Sequence, residues 1–517
     1  FSNSFTQFYP WTDYFGQYVT MTHYYWDCWH GFFKTGYFEL YSPNTYLGSD
    51  NIGSNAYYGL FDPFLFICYL FPRVWIPQTF AVATMFKGAV GALAMRAYLK
   101  YMGVSETTAR VGATAFAFNG WCNYFVGFPS FLSVAFAFPI MLLGIEKVIK
   151  EKKPTILTFA LFLLGITSFF FLVVGCIWGV LYAIWRYFWT IRSRKAKDNF
   201  AVIGLGVAAF AIGILLTSWS LFASIRESAL SGRTTSIGQG YLEALKMAFK
   251  DRNFGDLFKL LFEPVGRNPG REMQALQGFF YPTIGYTKLP LAAADSYDAW
   301  TSSAFCYTPI VVLFFIAMVN SIKKMKWQHI IAIIVCTYLL LTNLAYYMFY
   351  AFTGDGYGRW YIVLIPCVIY YACQELDRIK EEKKSTIFLG EFLALGLTMA
   401  TWIMTLVFVQ NKKFDTWLDP YWVNRYTFVP NQLSKEGIIY TCLWIVFYQM
   451  GAVFLTGLAI FFLQHKKALP KMLLGLVAAE TILFGNLSFF YMGTWSFEWW
   501  NGGVESRTIA TEAGEYF

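Results

Sequence analysis

The chain has 517 residues, of which 57% are hydrophobic and 14% are charged, and its formal net charge is +9. A soluble domain carries about 25% charged residues, so this composition excludes an ordinary soluble protein. The basic residues lie in short loops between apolar stretches, which argues against nucleic-acid binding. The nine cysteines are scattered and form no CxxC pair, and the four histidines form no HExxH pattern, so neither a disulfide framework nor a common zinc motif is present in the sequence.

Apolar stretches near 20 residues recur along the chain, and each is long enough to cross roughly 30 Å of hydrocarbon. We predict an all-α polytopic membrane protein with about twelve spans. In chain order the predicted spans are 74–100, 107–124, 129–148, 154–173, 174–190, 199–222, 303–322, 328–350, 358–375, 386–409, 437–463 and 470–492.

Lysine and arginine concentrate in five short connectors that fall on one side of the predicted bundle. By the positive-inside rule this side is the cytoplasm. The connectors are EKVIKEKKP (146–154), RSRKAKD (192–198), SIKKMK (321–326), RIKEEKK (378–384) and QHKKALPK (464–471).

The other connectors are then exterior, and the chain divides into five parts. Residue 1 is outside, so parity predicts one further span upstream, about thirteen in total. The tail turns polar, and we expect it to begin an exterior domain. The parts are a first exterior loop (1–73), an N-terminal bundle (74–222), a large exterior loop (223–302), a C-terminal bundle (303–492) and the start of an exterior C-terminal region (493–517).

Two exterior regions have helical patterns. Residues 12–34 are apolar or aromatic on all sides, and residues 241–262 form two amphipathic pieces broken at Asn253–Gly255. The second region is typical of helices that lie in the membrane interface. A loop helix packed on the bundle fits the pattern equally well.

Asp13 is the first candidate for chemistry. Gln17 follows at i+4, on the same helical face, and His23 lies one and a half turns further on. A carboxylate among aromatic rings is partly desolvated, which raises its proton affinity and suits a general base. The alternative is that Asp13 caps a helix that begins around Tyr14.

The exterior loop 42–64 is the second candidate, because it is rich in Gly, Asn, Ser and Pro. Such a loop can line a sugar site in which Asp50 hydrogen-bonds hydroxyl groups. The alternative is a solvated connector in which Asp62–Pro63 opens a short helix. We leave Asp50 open between the two and interpret Asp62 as part of a connector.

The stretch TGDGYGRWY (353–361) is the third candidate. Its glycines allow close approach of the backbone to a ligand. Arg359 lies where the chain re-enters the membrane, and a planar guanidinium is a preferred partner for phosphate. The alternative is an arginine that extends to lipid headgroups. Lys288 and Arg226 are further exterior cations near span ends.

Three segments resemble the YfhO family of bacterial membrane proteins. The resemblance extends over nearly the whole chain and is strongest over residues 10–190. It implies a GT-C glycosyltransferase architecture and transfer of a monosaccharide from an undecaprenyl-phosphate donor to teichoic acid, above all lipoteichoic acid, at the outer membrane surface. The segments are DYFGQYV, FELYSPNTYLGSDNIGSNAYYGLFDPFLFICYLFP and ATAFAFNGWCNYFVGFPSFLSVAFAFPIMLLGIEKVI.

The resemblance also implies residue roles. Asp13, in the first exterior loop, would deprotonate the acceptor, and Arg359 would hold the donor phosphate, with Lys288 and Arg226 as further phosphate-binding cations. No protein cofactor is expected, and metal independence is favoured over a divalent ion. The expected partners are the lipid-linked donor, the teichoic acid, membrane lipid, and a synthase and flippase that supply the donor. The expected substrate-lining residues are Gln17, Tyr18, His23, Asn44, Asp50, Tyr57 and Tyr357.

Two other functions remain open at this point. A flippase or transporter for a lipid-linked glycan would also be polytopic, but transporters usually carry ionisable residues at mid-membrane and internal repeats. The predicted spans are nearly free of acids, and we expect Glu391 and Glu480 to lie near cytoplasmic ends. A non-catalytic membrane scaffold is the third reading.

Overall fold

The structure is a computed structural model of an all-α membrane protein. It describes residues 18–43, 48–125, 128–190, 195–230, 237–263, 278–281, 303–353, 358–410 and 435–483. Before the first long helix, the chain forms α1 (Thr20–Thr35), a hairpin of β1 (Tyr41–Ser42) and β2 (Ser49–Asp50), α2 (Asn51–Asn55) and α3 (Phe66–Tyr69). In the hairpin, Tyr41 pairs with Asp50 and Ser42 pairs with Ser49.

Helices make up almost all of the remaining described chain. The N-terminal bundle contains α4 (Ile76–Tyr101), α5 (Glu106–Ala117), α6 (Gly120–Tyr124), α7 (Pro129–Ala135), α8 (Ala137–Glu151), α9 (Thr155–Thr167), α10 (Phe169–Thr190) and α11 (Ala196–Leu230). Two amphipathic helices follow, α12 (Ile237–Lys250) and α13 (Phe254–Leu261). The C-terminal bundle contains α14 (Thr308–Lys323), α15 (Trp327–Leu341), α16 (Asn343–Met348), α17 (Ile365–Arg378), α18 (Lys384–Gln410), α19 (Lys435–Leu463) and a last helix, α20, over 469–483.

Several of these helices are suited to cross a membrane. Within the described residues, four are long and apolar enough, and a bent pair, Arg73–Phe80 with Val82–Tyr101, makes a fifth candidate. Three shorter apolar helices accompany them, Thr155–Thr167, Thr308–Lys323 and Trp327–Leu341. The predicted total of about twelve spans therefore stays a prediction, while the all-α membrane class is confirmed.

Some predicted spans are broken helices. The predicted boundary between 154–173 and 174–190 lies instead at Ser168, whose extended backbone (φ −163°) separates α9 from α10. The span 107–124 breaks at Asn119, whose side chain accepts a hydrogen bond from the Cys122 N–H at 3.0 Å and caps α6. Hydropathy averages over about 19 residues and does not detect breaks within a continuous apolar run.

The Lys/Arg-rich connectors meet at one end of the bundle, which we call the basic face. Lys152 pairs with Asp198 at 2.6 Å, and Lys324 pairs with Glu382 at 2.6 Å. The backbone N–H of Ser105, between α4 and α5, donates to Asp377 at 2.7 Å and joins the two bundles there. This clustering agrees with the predicted common side of the connectors.

Residues 303–308, which we call the strap, join the two bundles at the other end. The Gly120 N–H donates to the Phe305 carbonyl at 2.7 Å, and the Thr308 N–H donates to the Glu480 carboxylate at 2.9 Å. Tyr307 has φ +71°, a conformation uncommon for a residue with a side chain. The strap therefore binds α6 of the N-terminal bundle to α20 of the C-terminal bundle.

Candidate functional site

Arg359 lies at the end of the bundle opposite the basic face, at the start of a 3₁₀ helix, Gly358–Val363. Its Nη1 donates to the Tyr57 hydroxyl at 3.3 Å, and its guanidinium carbon lies 5.1 Å from the centre of the Phe131 ring. Its carbonyl oxygen accepts a hydrogen bond from the Trp121 Nε1 at 2.8 Å. Tyr57 and Phe131, from the N-terminal half of the sequence, thus orient a partly buried guanidinium that comes from the C-terminal half.

Aromatic rings surround this arginine. Tyr57 packs edge-on against Tyr58 with ring centres 5.1 Å apart, and it lies 5.4 Å from Phe169 at the start of α10. Tyr18 is only 2% exposed and packs edge-on against Tyr58 at 6.2 Å. We call Tyr18, Tyr57, Tyr58, Phe131 and Phe169, together with Arg359, the arginine cluster.

Tyr18 remains a neutral phenol in this cluster. Burial raises its pKa above the ordinary value, and the nearby Tyr57 adds to the rise, while the Arg359 charge lowers it by less. Its hydroxyl accepts a hydrogen bond from Ser130 at 3.3 Å. Tyr18 is therefore suited to donate a hydrogen bond rather than to accept a proton as a base.

The short helix α7 connects the parts of the cluster. Ser130 donates to Tyr18, Phe131 lies under Arg359, and Ser133, one turn after Ser130, donates to the carboxylate of Asp62. Since Pro129 occupies the first turn of α7, where its missing N–H costs nothing, the helix begins directly after Phe128. Three side chains of one seven-residue helix therefore fix three parts of the site.

Asp62 forms a buried ion pair behind the cluster. Its Oδ2 lies 3.5 Å from the Nζ of Lys87 in α4, and both side chains are at most 2% exposed. Its Oδ1 accepts the Phe64 N–H at 2.9 Å, so it does initiate a turn, as the Asp62–Pro63 pattern predicts. The interpretation of Asp62 as part of a solvated connector is wrong, because the hydrophobic core covers it and Lys87 compensates its charge.

The structure brings together three of the predicted site residues, Tyr18, Tyr57 and Arg359. Sequence reasoning did not find Phe131, Ser130 or the Asp62–Lys87 pair. Phe131 and Ser130 lie in an apolar stretch and give no signal of their own. Lys87 does give a signal in the sequence, since a lone lysine in the middle of a predicted span is uncommon.

His23 lies on α1 beside a different pair of charges. Arg73 and Asp27 form an ion pair of 3.0 Å, and both side chains are about half exposed. Burial and the charge of Arg73 lower the pKa of His23 to about 4, and Asp27 opposes the shift. His23 is therefore neutral near pH 7.

Asp50 and Arg226 lie apart from the contacts around Arg359 described above. The Oδ1 of Asp50 accepts the N–H groups of Ile52 at 3.0 Å and Gly53 at 3.3 Å, which makes Asp50 the N-cap of α2. Arg226 is exposed near the C-terminal end of α11. Five predicted site residues lie outside the described residues: Asp13, Gln17, Asn44, Lys288 and Tyr357.

The two acids predicted near cytoplasmic ends differ in position. Glu391 lies on α18, seven residues after its first residue at the basic face, and the prediction fits it. Glu480 accepts the Thr308 N–H at the first residue of α14, which is the end remote from the basic face. The prediction for Glu480 is wrong, because α20 enters from the basic face and carries residue 480 most of the way across.

Comparison with known proteins gives one match. The family model described as "Bacterial membrane protein YfhO" matches residues 5–247, a range that contains every member of the arginine cluster except Arg359. A search of curated proteins and a search of solved structures found no match. Among the described residues, no group of three or more His, Cys, Asp or Glu side chains could hold a metal ion. The resemblance found in the sequence is therefore confirmed over residues 5–247, where the chain matches the YfhO family of bacterial membrane proteins.

Proposed function

We propose that this chain is a membrane glycosyltransferase of the GT-C type. It moves a monosaccharide from an undecaprenyl-phosphate donor to teichoic acid, above all lipoteichoic acid, on the outer face of the bacterial cell membrane. The family match supports the membrane class, and the resemblance supplies the donor and acceptor. The single observation that carries the proposal is the orientation of Arg359 by Tyr57 and Phe131.

The Arg359 geometry suits a phosphate on a lipid. A guanidinium presents several N–H donors in a plane, which matches two phosphate oxygens at once. One nitrogen already donates to Tyr57 at 3.3 Å, and the Phe131 ring restricts rotation of the group. A cation fixed in this way stabilises the charge that develops on the departing phosphate.

The position of the cluster supports an exterior site. The Lys/Arg-rich connectors meet at the basic face, which the positive-inside rule assigns to the cytoplasm. Arg359 lies at the other end, on the side where no nucleotide-sugar is available. With nucleotide-sugars excluded, the activated donor on this side is a sugar carried on a lipid that has been moved to the outer leaflet.

Asp13 is the proposed base. It precedes Tyr18, a member of the arginine cluster, by five residues in the chain. The acceptor hydroxyl oxygen attacks the anomeric carbon, its proton goes to Asp13, and the bond between the anomeric carbon and the phosphate oxygen breaks. Undecaprenyl phosphate leaves with both bonding electrons and is held by Arg359.

The decisive experiment measures release of free undecaprenyl phosphate. The full-length protein in lipid nanodiscs receives an undecaprenyl-phosphate-linked sugar and lipoteichoic acid, with and without chelator. Asp13→Asn should lower turnover about 100-fold or more, the range of general-base catalysis. Arg359→Gln should lower turnover and weaken donor binding.

A matched control is Arg110→Gln on the basic face. Arg110 is exposed and pairs with Glu106 at 3.1 Å, so its loss should leave turnover unchanged. If the Asp13→Asn variant turns over the donor as fast as wild type, the catalytic role of Asp13 is refuted. A flippase would move the donor across the bilayer and release no free undecaprenyl phosphate. This result would favour the flippase over the glycosyltransferase.

A further inference from the structure

A buried ion pair lies directly behind the arginine cluster. Lys87 lies eleven residues after Ile76, the first residue of α4, which is about 16 Å along the helix. Its Nζ lies 3.5 Å from Asp62, and neither side chain reaches the surface. Charges so far from a helix end are costly in a membrane protein and are kept where they have a function.

The pair is connected to the site through two routes. Asp62 follows Tyr57 by five residues, and the turn between them is closed by the Asp62 N–H, which donates to the Gly59 carbonyl at 3.0 Å. Gly59 has φ +101°, which permits this tight turn. Fixing Asp62 therefore fixes the backbone that carries Tyr57.

The second route runs through α7. Ser133 donates to the same carboxylate oxygen that faces Lys87, and Phe131, two residues earlier, lies under the Arg359 guanidinium. Asp62 thereby joins α4, α7 and the turn after Tyr57 at one point. Tyr57 and Phe131, which both contact the Arg359 guanidinium, are therefore each carried by a segment that this carboxylate fixes.

We propose that Asp62 and Lys87 are positioning residues for the lipid phosphate. The pair keeps Tyr57 and Phe131 in place, and these hold the Arg359 guanidinium in the orientation that grips the phosphate. The proposal rests on the proposed function for its ligand. Neither Asp62 nor Lys87 touches the donor, and the effect of either passes through Arg359.

The test is a titration of undecaprenyl phosphate with the full-length protein in nanodiscs, followed by native mass spectrometry. Asp62→Asn leaves the Lys87 charge without its counter-ion and should weaken binding at least tenfold. The double variant Asp62→Asn with Lys87→Met removes both charges and should restore binding to within threefold of wild type. Turnover should change in the same direction as binding, and the change should appear in the donor KM more than in kcat.

A second buried pair provides a control for general destabilisation. Glu146 in α8 is fully buried and pairs with Arg186 near the basic face. Glu146→Gln should lower the melting temperature as Asp62→Asn does, yet leave the affinity for undecaprenyl phosphate unchanged. Equal losses of affinity in both variants, or no recovery in the double variant, would overturn the positioning role.

The two proposals fail in different ways. If the wild-type protein neither binds undecaprenyl phosphate nor releases it from a donor, the proposed function fails. If wild-type binding depends on Arg359 but Asp62→Asn binds as well as wild type, the positioning role fails while the proposed function stands.

Discussion

Replacing Arg359 with lysine keeps the charge and removes the planar group. The lysine ammonium cannot span two phosphate oxygens in one plane, and it loses the Tyr57 hydrogen bond and the contact with the Phe131 ring. One lost charge-assisted hydrogen bond costs about 1.5–3 kcal/mol. We therefore expect donor KM to rise about 10- to 150-fold, since each 1.4 kcal/mol is a factor of ten.

The assay is a donor titration with release of undecaprenyl phosphate as the readout, in wild type and in Arg359→Lys. Arg110→Lys, an exposed exchange on the basic face, serves as the control. Tyr57→Phe keeps the ring but removes the hydroxyl, and a neutral hydrogen bond of about 0.5–1.5 kcal/mol predicts a rise of about 2- to 12-fold. A donor KM for Arg359→Lys within twofold of wild type would show that no bidentate contact exists.

Three further predictions concern the segment before the first long helix. The pKa of His23 is lowered to about 4 in the folded protein, whereas an exposed histidine has a pKa near 6.5. Stability present above pH 6.5 should therefore be lost as the pH falls from about 6.5 towards 4. His23→Gln should remove this dependence of the melting temperature on pH. Asp50→Ala removes the N-cap of α2 and should lower the free energy of unfolding in chemical denaturation by about 1 kcal/mol, with donor KM unchanged. A rise in donor KM would instead support contact between Asp50 and the substrate. Gly59→Ala should destabilise by about 1 kcal/mol or more, because φ is +101° and Leu65 Cδ1 lies 3.0 Å from the added carbon; wild-type melting would contradict this.

The membrane class and most long helices could be predicted from the sequence because apolar length is a local property. Residues 241–262 were correctly expected to form two pieces broken near Asn253, which lies between the end of α12 at Lys250 and the start of α13 at Phe254. The break at Ser168 could not be predicted, since it lies inside an apolar run and depends on how α9 and α10 pack. Local patterns give the composition of a span but not its interruptions.

The site shows the same division. Arg359 and Tyr57 could be predicted because a cation and polar rings at a membrane edge are unusual in themselves. Their contact could not, since 302 residues separate them in the chain. The ion pair of Asp62 and Lys87 was missed because Asp62 resembles a loop residue until the fold covers it. Pairing is a property of the tertiary structure.

The strap has a consequence for biogenesis. During translation the Gly120 N–H is made before its acceptor, the Phe305 carbonyl. The Thr308 N–H is likewise made before the Glu480 carboxylate, which follows 172 residues later in the chain. The first bundle thus enters the bilayer before the partner of its Gly120 N–H has been translated. We expect an insertase to shelter α6 during this interval, and ribosome-stalled chains ending before residue 303 should remain bound to it.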